Sequence, residues 1–151
     1  MILVVPALTD ELLRRSPLFR RLSADDRARV AAVARLVHHP HGSHIFAEGE
    51  DASAFLAVVE GRVKVYKSTP AGKEIILEIF GPGDPLGAVA VYESSPFPAS
   101  ALALDDVTCL RLEQRDFFDL LERHPVLVRG LLSGLTIRLA ELTRRLADLT
   151  G

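Results

Sequence analysis

Apolar positions follow three successive rhythms along this chain. Through residues 8 to 35 the spacing is helical: Val30, Val33, Ala34 and Val37 recur on one side, Ser23 is placed to cap the segment, and Asp25 and Asp26 supply an acidic first turn. Ser16-Pro17 parts this segment from a shorter helix before it, because the residue preceding proline is steered out of helical geometry. From 36 to 112 the rhythm shortens to alternating apolar runs divided by Gly, Pro and Asp. Leu56, Val58 and the run from Arg62 to Lys67 flank Glu60-Gly61, which reads as a hairpin. Thr69-Pro70-Ala71-Gly72 predicts a second turn, leading into Glu74 to Phe80, and Gly81-Pro82-Gly83-Asp84-Pro85 a third. Asp105-Asp106 divides the last two runs, Ser100 to Leu104 and Val107 to Leu112. Strands at this spacing predict a closed or sandwiched antiparallel sheet.

Helical spacing then returns. Residues 113 to 124 place Phe117, Phe118, Leu120 and Leu121 on a packing side, and His124-Pro125 ends that helix and opens another. In the segment from 125 to 150, Leu132, Leu139 and Leu146 lie seven apart, as do Leu135, Leu142 and Leu149, with Val128 extending the seam backward. A seam this regular can pack on the β-domain or on a second helix. Ile137 on the opposite side, with Gly130 and Gly134 permitting close approach, favours one face for the body and another for a partner. Arg138 and Arg145 flank the seam on one side and Thr136 and Thr143 on the other. An antiparallel pair would oppose arginine to arginine, so the expectation is a parallel homodimer.

Composition narrows the function. A single cysteine, Cys109, excludes an intramolecular disulfide or a four-cysteine metal site within the 151 residues, and in a strand it reads as a small core residue. Net charge of −2 gives no overall attraction for nucleic acid or acidic lipid. The Ile2-Leu3-Val4-Val5 run is too short for a leader, and no apolar run approaches a membrane span, so a cytoplasmic location is expected.

The order of motifs resembles the effector domain of the catabolite-activator and fumarate–nitrate-reduction regulator family, the cyclic-nucleotide-binding β-roll. The resemblance is carried by Ser16-Pro17-Leu18-Phe19, by His41 through Glu50, by Val59-Glu60-Gly61-Arg62-Val63-Lys64-Val65, and by Pro82-Gly83-Asp84-Pro85-Leu86-Gly87. It continues through Ala103-Leu104-Asp105-Asp106 and Phe117-Phe118-Asp119-Leu120-Leu121 with Pro125, and so covers nearly the whole chain. It implies a mainly β fold with flanking helices: an antiparallel jelly-roll, or double-stranded β-helix, bearing N-terminal helices and a long C-terminal dimerisation helix. Residues 1 to 151 would form one effector domain. DNA would be reached only through a helix-turn-helix domain absent from these residues, and the seam runs in register to Leu149 as though leading onward.

Family members that bind cyclic AMP hold it with Gly-Glu and, about ten residues on, Arg-Ser/Thr-Ala. The guanidinium pairs with the phosphate, backbone N–H groups at a helix start receive it, and the glutamate takes the ribose hydroxyl. Carried onto this chain, the glycine is Gly87, but the glutamate position is Ala88, the arginine position Phe97 and the hydroxyl position Pro98; Ala99 is retained and Ser100 follows. A phosphate buried without its counter-charge costs several kcal/mol, so cyclic AMP and cyclic GMP are disfavoured. With Val89, Val91 and Leu102 the region is apolar. It is read either as a filled, ligand-less core or as a pocket for an apolar or planar ligand such as haem. Thr136 and Thr143 match positions where the family's last helix meets the ligand's base, although they also fit as tolerated seam-flanking residues.

His38, His39, His41 and His44 form the one metal-like cluster, but Pro40 and Gly42 set them around a turn where their side chains diverge, and no metal site is predicted. Glu48 and Glu50 read as loop acids. No catalytic motif appears, and an enzyme is not expected. Three readings follow: a sensing and dimerisation module of a transcription regulator, a ligand-less interaction module, and a metal-dependent cupin-like enzyme, which the turn-bound histidines oppose.

Overall fold

The computed structural model describes residues 2–3 and 6–150, with side chains from residue 11 onward. A two-residue strand β1 (Ile2–Leu3) precedes helix α1 (Pro6–Arg15). A bend at Ser16-Pro17 leads to a 3-10 turn, Phe19–Arg21, and then to α2 (Ala24–Val33). Ser23 caps α2 as predicted, its Oγ accepting the Asp26 N–H at 3.2 Å. The helix stops earlier than the apolar spacing implies. Val37 belongs to strand β2 (Arg35–His39), where it pairs with Cys109 across an antiparallel ladder.

Strands β3 (His44–Phe46), β4 (Ala54–Glu60), β5 (Val63–Ser68), β6 (Glu74–Phe80), β7 (Pro85–Leu86), β8 (Ser100–Ala103) and β9 (Val107–Glu113) complete two antiparallel sheets. One sheet runs β1-β2-β9-β4-β7 and the other β3-β8-β5-β6. The predicted turn at Thr69–Gly72 is present, and it joins β5 to β6 as a hairpin. Glu60-Gly61 does not make a hairpin. The chain changes sheets there: β4 pairs with β9 and β7, whereas β5 pairs with β6 and β8.

The cause lies 45 residues further on, at the Asp105-Asp106 corner, where β8 and β9 also change sheets. Arg62 makes a two-pronged pair with Asp105, 3.0 and 3.2 Å, and the Leu104 N–H donates to the Arg62 carbonyl. Gly61 sits in this junction at φ 90°, and a Cβ there would lie 2.5 Å from the Asp106 carbonyl oxygen. The two corners interlock and hold both crossings together.

Five successive residues of β4, Ala54 to Val58, are buried, so the strand is covered on both faces. Phe55 meets the helical side. Its ring stacks on Phe117 of α4 (Gln114–Arg123), centroids 4.5 Å apart, and meets Phe19 edge-on. A short helix, α3 (Ala88–Glu93), follows β7 and is tied to α4 by Gln114, whose side-chain N–H₂ donates to the Val91 carbonyl and the Ser94 hydroxyl. Helix α5 (Pro125–Thr150) leaves the body: Leu127 is buried, and a Cβ on Gly130 would lie 2.9 Å from Leu18 Cδ1. Among the described residues no helix is long and apolar enough to cross a membrane.

Candidate functional site

The cup of the roll is built around Gly87, which joins β7 to α3. Its φ of 65° favours glycine, and a Cβ there would lie 2.5 Å from Cε1 of Phe97. The space over the glycine is therefore filled by a ring. Phe97 is 5% exposed and stacks on Phe46 of β3, with centroids 3.7 Å apart and planes 7° from parallel.

The backbone around Phe97 is fastened from two sides. Its N–H donates to the Glu50 carbonyl at 2.9 Å, its own carbonyl accepts the Gly49 N–H at 2.8 Å, and the neighbouring Pro96 bridges to Asp51. On the other side Lys67 of β5 donates to the Pro98 carbonyl at 2.7 Å and lies 3.3 Å from a Glu48 carboxylate oxygen. Ser100 Oγ accepts the Glu48 N–H at 2.9 Å. The cation brought to this segment is thus engaged by a carboxylate and a carbonyl of the same chain. Ala99 is buried, Ala88 half-buried, and Pro98 and Val89 are exposed, so Phe97 and Ala99, with Ala90 and Val91 of α3, are packed into the interior.

No guanidinium stands at residue 97, proline 98 offers no N–H, and Ala88 supplies no carboxylate for a ribose. Thr136 and Thr143 are exposed, each hydroxyl donating at 2.8 Å to a carbonyl of its own helix, Leu132 and Leu139. Phe46, Lys67 and the 48–51 loop complete the site, and none was singled out from sequence as belonging to it. Phe46 and Phe97 lie 51 positions apart, with no local spacing to link them.

The seam of α5 is not covered by its own roll. Val128, Leu132, Leu135, Leu139, Leu142, Leu146 and Leu149 range from 38% to 83% exposed. Ile137 is exposed as well; the face toward the body carries Leu127, Gly130, Leu131 and Arg138. Arg138 pairs with Asp84 at 2.8 Å and Glu78 at 3.5 Å, and Arg145 also reaches Glu78 at 3.5 Å. The arginine charges expected to oppose antiparallel pairing are compensated within the chain.

Of the histidines, His38 and His39 lie in β2, His41 in the following turn, and His44 in β3, where its Nε2 is 2.7 Å from the Tyr66 hydroxyl. Among the described residues no group of three or more His, Cys, Asp or Glu side chains is arranged to hold a metal. Burial lowers the pKa of His39, with His38 and Arg111 adding to the effect, and its Nε2 is buried without a hydrogen-bond partner. Burial pushes the Cys109 thiol up to about 12, so it stays protonated as a core residue.

Comparison with known proteins places this geometry. Residues 36–124 match the model of the cyclic nucleotide-binding domain. The chain is 29% identical over 140 residues to a CRP-like cAMP-activated global transcriptional regulator of Mycobacterium tuberculosis, covering 93% of this chain and 62% of the relative. It is 29% identical over 129 residues to the cyclic AMP receptor protein of Thermus thermophilus, covering 85% and 60%. The chain thus spans about three-fifths of the length of these curated relatives. Among solved structures, the sensor domain of the transcriptional regulator DNR from Pseudomonas aeruginosa superimposes with a TM-score of 0.76 at 28% identity, covering 92% of this chain and 93% of that one. The Thermus thermophilus catabolite activator protein gives 0.76 at 29%, covering 89% and 63%. The chain belongs to the cyclic nucleotide-binding domain family and carries the β-roll effector architecture of the catabolite-activator and fumarate–nitrate-reduction regulators.

Proposed function

We propose that this chain is the effector-sensing and dimerisation module of a cytoplasmic transcription regulator, and that its cup does not take cyclic AMP or cyclic GMP. One observation carries the second half: at the family's arginine position stands Phe97, stacked on Phe46 directly over Gly87. An anionic ligand would have to displace a packed aromatic pair and then sit without a counter-charge, at a cost of several kcal/mol. Isothermal titration with either nucleotide should give no binding heat at millimolar concentration; a micromolar dissociation constant would overturn the reading.

Dimerisation rests on the exposed leucine ribbon of α5, whose burial against a second copy would remove seven large side chains from water. A parallel pair is proposed. Strand β6 stands at the height of residues 138 to 145, as the Glu78 pairs mark, and carries exposed Ile75, Ile76, Leu77 and Ile79. A partner helix running parallel would pass that apolar strand with its own residues of the same height. DNA contact is assigned to the helix-turn-helix domain that the family resemblance places after α5, and signal transfer to a change in how the rolls seat on the helix pair.

A second reading, a ligand-less β-roll that only supports a dimer, is favoured by the same filled cup. Thermal unfolding against nucleotides, haem, 2-oxoacids and metals separates the two, since a ligand at a hundred times its dissociation constant stabilises by about 2.7 kcal/mol. A shift with any of them supports sensing, and no shift across the panel supports the ligand-less module.

A further inference from the structure

Helix α5 is anchored at its start, by buried Leu127 and by Gly130 against Leu18, and most side chains beyond residue 131 are exposed. An anchor at one end leaves the angle of a 26-residue helix loosely set. The described polar contacts that tie the rest of the helix to the roll come from two guanidiniums: Arg145, 55% exposed, reaches only Glu78 at 3.5 Å, and the less exposed Arg138 makes the others. Arg138 lies 2.8 Å from Asp84 Oδ1 and 3.5 Å from Glu78 Oε2, and its guanidinium carbon stands 4.0 Å from the centroid of the Phe80 ring. Two carboxylates and one aromatic face, from β6 and the turn after it, surround a single cation. The Arg138 side chain is 25% exposed and that of Glu78 17%, so the group is partly shielded from water and salt.

Asp84 joins this cluster to the cup. One carboxylate oxygen accepts the Gly81 N–H at 2.9 Å and closes the turn, while the other meets Arg138. The same turn is held against β4, with the Val58 N–H donating to the Asp84 carbonyl at 2.9 Å and the Gly83 N–H to the Val58 carbonyl at 2.8 Å. Three residues after Asp84 comes Gly87, in contact with Phe97. A movement at the base of the cup therefore shifts the carboxylate that Arg138 holds.

We infer that Arg138 is a positioning residue: it sets the angle of α5 on the roll and couples that angle to the turn from 81 to 87. The inference rests on the sensing-module reading, in which helix orientation is the output. It also gives Arg138 and Arg145 an intramolecular role in place of partner contacts. Lysine would not substitute fully, because a point charge neither forks between two carboxylates nor stacks flat on Phe80.

The test uses spin labels on Ala147→Cys and Glu60→Cys, both exposed positions, with buried Cys109 remaining unlabelled. Labelled chain is diluted with unlabelled chain so that distances are read within one protomer. Residue 147 lies about 26 Å along the helix beyond the anchor at Gly130, so a tilt of about 20° displaces it by roughly 9 Å. The unsubstituted pair should give one narrow distance. Arg138→Ala should broaden or shift it by that amount, Arg138→Lys should fall between, and Asp84→Asn, which keeps an oxygen for the Gly81 N–H, should match Arg138→Ala. Amide exchange across 81 to 87 should rise about tenfold in Arg138→Ala, a response that a helix tether without coupling would not produce. Unchanged distances or unchanged exchange in Arg138→Ala overturn the inference. Sedimentation run in parallel keeps the readings apart. A dimer with unmoved distances refutes the Arg138 role alone, and a monomer with moved distances refutes the dimer alone.

Discussion

Replacing Phe97 by alanine tests most directly whether the cup is a packed interior or an open pocket. The ring is 5% exposed, and burying a phenylalanine side chain stabilises by about 1.5–3 kcal/mol. Its ring lies face to face on Phe46 with centroids 3.7 Å apart, closer than the offset pairs that carry an added aromatic term, so no separate stacking energy is added. With the cavity left behind, the expected loss is about 3 kcal/mol, at the low end of the roughly 3–5 kcal/mol found for large-to-small aromatic core changes. For a chain of this size each kcal/mol moves the melting temperature by about 2–4 °C, so a fall of about 10 °C is expected. Phe97→Leu keeps most of the volume without the stack and should lose about half as much.

The assay is urea unfolding followed by far-ultraviolet circular dichroism at one fixed protein concentration, because dimerisation makes apparent stability concentration-dependent. The slope against urea should stay constant while the midpoint falls. A loss below about 1 kcal/mol for Phe97→Ala would refute the reasoning: the ring would then be a loose gate over an open pocket, and the case against an anionic ligand would lose its steric half.

Two further outcomes follow from the same geometry. Leu139→Lys with Leu142→Lys places charges on a seam already exposed in the single chain, so the mass in light scattering should fall to 16.5 kDa while the unfolding midpoint of the roll stays near that of the unmodified chain at low concentration; an unchanged dimer mass would refute the leucine interface. His39 has a folded-state pKa below its ordinary 6.5, so as pH falls through that value the unfolded chain takes up a proton that the folded chain refuses. Stability should therefore decline below about pH 6.5, and His39→Leu should remove that part of the decline; parallel stability curves for the two proteins between pH 4 and 8 would show that His39 does not contribute.

What was legible in the sequence was local. Ser23 capping α2, the 69–72 hairpin, the amphipathic α4 and the leucine ribbon of α5 each depend on residues within one or two turns of one another, and spacing alone reports them. That residue 97 carries no charge was legible as well, being the chemistry of a single side chain, while its place as the family's arginine position was only what the resemblance implied. Tertiary structure decided the rest. Glu60-Gly61 has the composition of a hairpin, yet the Arg62–Asp105 pair and the close approach of Gly61 to Asp106 send β4 and β5 into different sheets. Phe97 was legible as apolar, but that its ring closes the cup depends on Phe46 arriving from another strand. Arg138 has the heptad position of a partner contact and instead grips Asp84 and Glu78 of its own roll. Periodicity records which face of an element is apolar; it carries no information about which distant charge or ring the folded chain brings to that face, because such contacts depend on how all the elements pack together.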